Sequence, residues 1–148
     1  MHRILSALVA AFLFIAGSAN AAPVDEAKKL FERYVALEHA FAPEVADLYA
    51  DDALIRNRRT YPTGQVRELT MPAPQYKALI RQSMPLAKAR GDTSSYSDIT
   101  YSPEGSGVRV SATRFSNLKK YSSPVSLLAA PNADGQWLIR EELSESQP

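Results

Sequence analysis

The sequence predicts an α+β domain in which helices on the N-terminal side precede a curved antiparallel or mixed sheet. Two observations carry this. Apolar residues recur at helical spacing between Ala27 and Phe41 and again between Tyr76 and Ala87. From Ser95 onward the period falls to two, and short Pro, Gly and Asn turns separate the segments, as in antiparallel neighbours.

The first residues stand apart from that domain. "MHRILSALVAAFLFIAGSANA" has Arg3 at its start, an apolar run from Ile4 to Ala16, and small residues ending in Ala19-Asn20-Ala21. This is the layout of a secretory signal peptide with an A-x-A cleavage site. The apolar run of about 13 residues is shorter than the roughly 20 that a spanning helix needs. An uncleaved anchor is the alternative, and the small-residue exit argues against it. The expected boundaries are a leader over 1–21, one domain over 22–143 and a fraying tail over 144–148. The expected location is the periplasm or the extracellular medium. No cysteine is present to carry a lipid, and no stable membrane insertion is expected after cleavage.

The 148-residue chain carries 17 Lys+Arg and 16 Asp+Glu. Loss of Arg3 with the leader makes the mature charge zero, so nucleic acid is not an expected partner. The mature chain has no cysteine and one histidine, His39. That is a poor donor set for a transition metal, and no cofactor is expected. A chain of this size builds its core without disulfides.

The elements follow in order. "VDEAKKLFERYVALEHAF" is a helix with Ala27, Phe31, Tyr34, Leu37 and Phe41 on its inner stripe; Asp25 caps it and Pro23 fixes its start. Pro43 breaks it, and "PEVADLYADD" restarts as a short helix ended by Asp51-Asp52. "ALIRNRRT" and "QVRELTM" form a hairpin through Tyr-Pro-Thr-Gly. Thr70-Met71-Pro72 opens a third helix, which Pro85 kinks or ends and Lys88 to Gly91 close. "YSDITY", "GVRVSATRFSNL", "SPVSLLAA" and "QWLIREEL" are strands of a meander.

That order, with "ADLYADDALI" and the closing "DGQWLIREEL", resembles the nuclear transport factor two-like superfamily. It is also similar to the superfamily's polyketide-cyclase-like and ketosteroid-isomerase-like branches. The resemblance covers nearly the whole mature chain. It implies a cystatin-like cone, with the sheet wrapped around three helices and a ligand pocket in the open end. It implies a pocket rather than a chemistry, because the superfamily includes isomerases, dehydratases, cyclases and binding subunits.

Strand alternation nominates the pocket residues. Ala53, Ile55, Asn57 and Arg59 share one face of the hairpin's first strand, so of three clustered arginines only Arg59 approaches the pocket. Val108, Val110, Ala112 and Arg114 share a face, as do Trp137, Ile139, Glu141 and Leu143. Tyr34, Tyr49 and Tyr76 lie on helix faces toward the cone and can offer hydroxyls. The candidate ligand-binding set is therefore Tyr34, Tyr49, Asn57, Arg59, Tyr76, Arg114, Trp137 and Glu141. Each also has a plain structural account. Arg114 and Glu141 can pair with each other, the tyrosines can be core with a polar tip, and a bulge would flip either charged residue. Asp47, Asp51 and Asp52 fit helix-closing roles as well as that of a base, and His39 fits a helix end. No catalytic residue is demanded.

The leading expectation is an exported protein that binds a small, mostly apolar ligand or a partner in the cone. The second is an isomerase, dehydratase or cyclase with a base such as Glu141 or Asp52. The third is an interaction module that forms a homodimer through its sheet face. The enzyme requires a carboxylate inside the pocket with a raised pKa and no arginine partner, and the binder requires an enclosed cavity of a few hundred Å³.

Overall fold

The computed structural model describes residues 21–148. The predicted leader lies outside the described residues apart from Ala21. The order is α1 (Ala21–His39), a 3₁₀ helix (Pro43–Leu48), β1 (Tyr49–Thr60), β2 (Val66–Pro72), α2 (Ala73–Arg90), β3 (Ser94–Glu104), β4 (Gly107–Ser116), β5 (Ser122–Pro131) and β6 (Trp137–Ser146). The strands form one curled open sheet, β2-β1-β6-β5-β4-β3. All neighbours are antiparallel except β1 and β6, so the sheet is mixed. Among the described residues no helix is long and apolar enough to cross a membrane.

The helices form where the periodicity places them, with shifted ends. α1 is already helical at Ala21, so Asp25 lies inside it and is not its cap. It buries Ala27, Leu30, Phe31 and Tyr34. It stops because Phe41 turns left-handed at φ 54, and Ala42 donates its N–H back to the Leu37 carbonyl at 2.9 Å. The second helix is a tight 3₁₀ turn with Pro43 in its first positions. Tyr49, Asp51 and Asp52 therefore belong to β1. Thr70 belongs to β2, and α2 starts after Pro72 without a side-chain cap. α2 runs through Pro85 to Arg90 and ends at left-handed Gly91. α1 lies against β3 to β6, whereas α2 touches the 3₁₀ turn, β1 and β2.

The inner face of the sheet reads as rows across four strands. The deepest row is Tyr49, Ile139, Ala129 and Val108, all buried. The next is Ile55, Glu142, Leu127 and Val110, and above it lie Asn57, Ser144, Val125 and Ala112. The outermost places Arg59 beside Ser146 and Arg114 beside Ser123. The face thus passes from apolar to cationic along the strands. The C-terminal end is part of this scaffold. Ser144 is buried and β6 continues to Ser146, so the expected tail over 144–148 is shorter by three residues.

A bulge in β6 corrects one expected facing. Ala129 pairs with Ile139 while Leu128 pairs with Glu141, which leaves Arg140 as the extra residue. β1 slips at the same level, between its pairings at Tyr49 and Leu54. Arg140 there meets Asp52 of β1 at 2.8 Å. The extra residue reverses alternation beyond it. Glu141 therefore faces outward, where it meets Arg109 at 2.5 Å, and Glu142 faces inward.

Candidate functional site

Glu142 is the inward carboxylate. It is 3% exposed and sits between Ile55 and Leu127 in its row. Tyr49 of β1 donates its hydroxyl to one carboxylate oxygen at 2.5 Å, and Tyr76 of α2 donates to the other at 3.1 Å. The two rings meet edge to face, with centroids 5.4 Å apart. Among the described residues no cation stands within ion-pair distance of Glu142. Two phenols thus solvate a buried charge that a salt bridge does not.

A second acid–phenol pair lies nearer the opening. Tyr96 of β3 donates to Glu38 of α1 at 2.5 Å, and the Ser94 N–H donates to the other oxygen of Glu38 at 3.1 Å. Tyr34 bridges the two clusters, with its ring stacked on Phe31 and edge-on to Tyr96. Burial pushes the phenols of Tyr34, Tyr49, Tyr76 and Tyr96 above their usual range. The charge of Glu142 adds to this for the first three, and Tyr34 and Glu38 add to it for Tyr96. Burial opposes the charge of Arg114, but the surrounding phenols and Glu142 outweigh it and push its guanidinium up.

The hollow that opens above these clusters measures about 310 Å³ and is lined by Arg59, Arg114, Lys119, Glu38, Asp92 and Ser146, among others. The interior beneath is filled: the space among Leu30, Phe31, Val110 and Ile139 is only about 10 Å³. The hollow at the mouth is polar; a larger, more apolar one of about 590 Å³ lies between α1 and β3, against Phe31, Val35, Tyr96, Ile99 and Tyr101, and another of about 450 Å³ lies on the outer sheet face.

The predicted residues divide accordingly. Arg59 and Arg114 line the mouth as their alternation requires. Tyr49 and Tyr76 hold Glu142, and Tyr34 is buried against Phe31 and Tyr96. Asn57 is inward but engaged, donating to Ser144 at 3.0 Å and accepting from Ser146 at 2.8 Å. Trp137 pairs with Pro131 at the opposite end of β6 and packs on the core, away from the mouth. Glu141 is outside, paired with Arg109. The other acids are structural: Asp47 meets Arg81 at 2.6 Å and Asp51 meets Lys77 at 2.7 Å, which ties α2 to the 3₁₀ turn and β1. His39 Nε2 lies 2.7 Å from the Ser94 carbonyl oxygen and joins α1 to β3. Alternation could not find Glu142, because the bulge hides behind two consecutive glutamates. Glu38 carries no signal in sequence, because no partner lies near it along the chain. Its actual partner, Tyr96, is 58 positions away.

No family model and no curated protein matches the sequence. Solved structures match over most of it. An NTF2-like protein of unknown function from Pseudomonas putida KT2440 gives a TM-score of 0.66 at 15% identity, over 88% of this chain and 89% of that one. An NTF2-like protein with a cystatin-like fold from Novosphingobium aromaticivorans gives 0.56 at 17% identity, over 88% and 90%. A candidate dehydratase of the NTF2-like family from Streptomyces avermitilis gives 0.60 at 12% identity, over 84% and 96%. Identities this low speak for the fold and not for a shared activity. The chain has the nuclear transport factor two-like fold, in its cystatin-like form, as its order of elements implied.

Proposed function

We propose that this is an exported binding protein that takes a small molecule through the open end of its cone. The observation that carries this is the placement of the 310 Å³ hollow above a filled, hydrogen-bonded interior. A ligand there rests on Glu38, Ser94, Ser116 and Ser146 and leaves the apolar core undisturbed. The polar lining replaces the mostly apolar ligand expected from the sequence with one that has a polar end. The test is a fragment screen of the mature protein by amide NMR. Binders should shift the amides of Ser94, Ser116 and Ser146. A screen whose binders shift only outer-face amides, such as those of Arg58 and Leu143, would refute the reading.

Glu142 supports a second reading, an enzyme that moves a proton within the cone. It is buried, faces inward and has no arginine partner, but it lies below the hollow at the mouth and does not line it. Its oxygens already hold two phenols, so a substrate has to displace one. Tyr76 is the candidate to leave, because α2 carries it and packs on one side of the cone alone. The candidate dehydratase of the same fold is consistent with such chemistry. A homodimer is a separate proposal. The outer sheet face has a hollow of about 450 Å³ that includes Arg56, Arg58, Pro124 and Leu143. Light scattering should give twice the mature mass.

A further inference from the structure

We infer that the ligand at the mouth is an oxyanion, a carboxylate or a phosphate ester, held between Arg59 and Arg114. This rests on the reading of the open end as the binding site. The first observation is the outermost row of the sheet. It has an arginine on β1 and another on β4, with the small residues Ser146 and Ser123 beside them on the strands between. Three strand spacings separate the arginines, about 14 Å measured along the sheet, and its curl shortens the span. Both side chains line the same hollow.

The second observation is that these cations lack acidic partners. Among the described residues, Arg59, Arg67, Arg114 and Lys119 make no ion pair, as is also true of surface cations such as Arg58 and Lys88; what sets Arg59 and Arg114 apart is that they are partly buried and line one hollow. Arg59 Nε is buried with no hydrogen-bond partner. Arg114 gives one bond, from Nη2 to the Glu145 carbonyl at 2.9 Å, and Lys119 gives one to the Gln147 carbonyl at 3.3 Å. The Arg59 side chain makes no hydrogen bond or ion pair with the described residues and lines the hollow, so its outer N–H groups can donate to an oxyanion there.

The third observation is a repulsive pair. Arg59 and Arg67 stand directly opposite each other across β1 and β2. Like charges so placed destabilise a sheet. Both guanidiniums lie 5.6 Å from the centre of the Tyr61 ring, which eases the repulsion without neutralising it. A bound anion would relieve it further. Two carboxylates share the hollow. Glu38 has both oxygens engaged by Tyr96 and Ser94, and Asp92 is exposed on the loop after α2. Three cations against two acids leave the mouth positive. At about 30 Å³ per water, the volume corresponds to roughly ten waters, which suits a single-ring acid.

The test uses three single-ring probes followed by amide NMR on the mature protein: benzoate, phenyl phosphate and neutral benzyl alcohol. Benzoate or phenyl phosphate should shift mouth amides, and whichever binds tighter identifies the head group. Arg59→Ala should weaken that binding roughly tenfold, the scale of one charge-assisted hydrogen bond. Arg58→Ala, on the outer face, should change it less than about twofold. Arg59→Gln, closer in size, is the second variant if alanine disturbs the fold. Benzyl alcohol binding the mouth as tightly as the acids would overturn the oxyanion and leave the open end as the site. Unchanged affinity in both Arg59 variants would do the same. Failure of every probe to shift a mouth amide at about 10 mM would overturn both readings.

Discussion

Glu142 and Glu141 are neighbours with opposite surroundings, and their difference is measurable. Removing Glu142 leaves the Tyr49 and Tyr76 hydroxyls buried without acceptors. Glu142→Ala should therefore cost about 3 kcal/mol in urea unfolding. Glu141→Ala breaks one of two carboxylate contacts to Arg109 on the outer face, where Glu104 still holds the guanidinium, and should cost about 1 kcal/mol, less than Glu142→Ala. Equal costs would mean that the bulge at Arg140 is absent. Alternation gave the inward facing of Arg59, Asn57 and Arg114, because β1 up to Thr60 and β4 keep period two beyond Leu54 and Val108. It failed at Glu141 because one extra residue shifts the phase without leaving a compositional mark. The tyrosines also set an alkaline limit. A phenol whose folded pKa is raised contributes stability that is complete below its unfolded value, about 10, and is lost as pH rises through the folded value. Stability should thus hold to about pH 10 and fall above it. Absorbance at 295 nm should show Tyr34, Tyr49, Tyr76 and Tyr96 ionising only with unfolding. Four phenols titrating near pH 10 in the folded protein would contradict the buried cluster.

At the scale of elements, the sheet is the rigid part and the helices cover it unequally. α1 packs across four strands, while α2 is held over β1 by Lys77–Asp51 and Arg81–Asp47. The end of β5 presses on the start of β4. A Cβ at Gly107 would come within 2.4 Å of the Ala129 carbonyl oxygen and 2.8 Å of Ala130 Cβ. Gly107→Ala should therefore cost about 3 kcal/mol through displaced backbone, as measured by thermal or denaturant melts. A neutral result would mean that β5 lies further off. Helix existence was legible from periodicity. Helix ends were not, because Asp25, Thr70 and Asp51-Asp52 carry cap chemistry that the chain does not use there. Pro85 was legible as a breaker, yet α2 continues through it, because packing of Ile80, Met84 and neighbours offsets the lost bond.

At the scale of the molecule, the rows convert strand alternation into a gradient. Apolar side chains close one end, a phenol-solvated carboxylate lies between, and arginines rim the other. The order of helices, hairpin and meander was enough to imply this architecture. The polarity of the mouth was not legible, because it depends on which strand ends meet across the curl. Export belongs to this scale too. Secreted by a bacterial host, the protein should begin at Ala22, as read by N-terminal sequencing or intact mass. A start at Met1 would leave the leader as an anchor.

A ligand held at the open end against the arginine rim can be sought directly. The most direct measurement is a crystal structure of the mature protein purified from a bacterial envelope with no ligand added. Density for a small molecule in contact with Arg59 and Arg114, with Tyr49 and Tyr76 still on Glu142, is the expected result. A ligand seated on the outer sheet face, with the mouth holding only water, would contradict it.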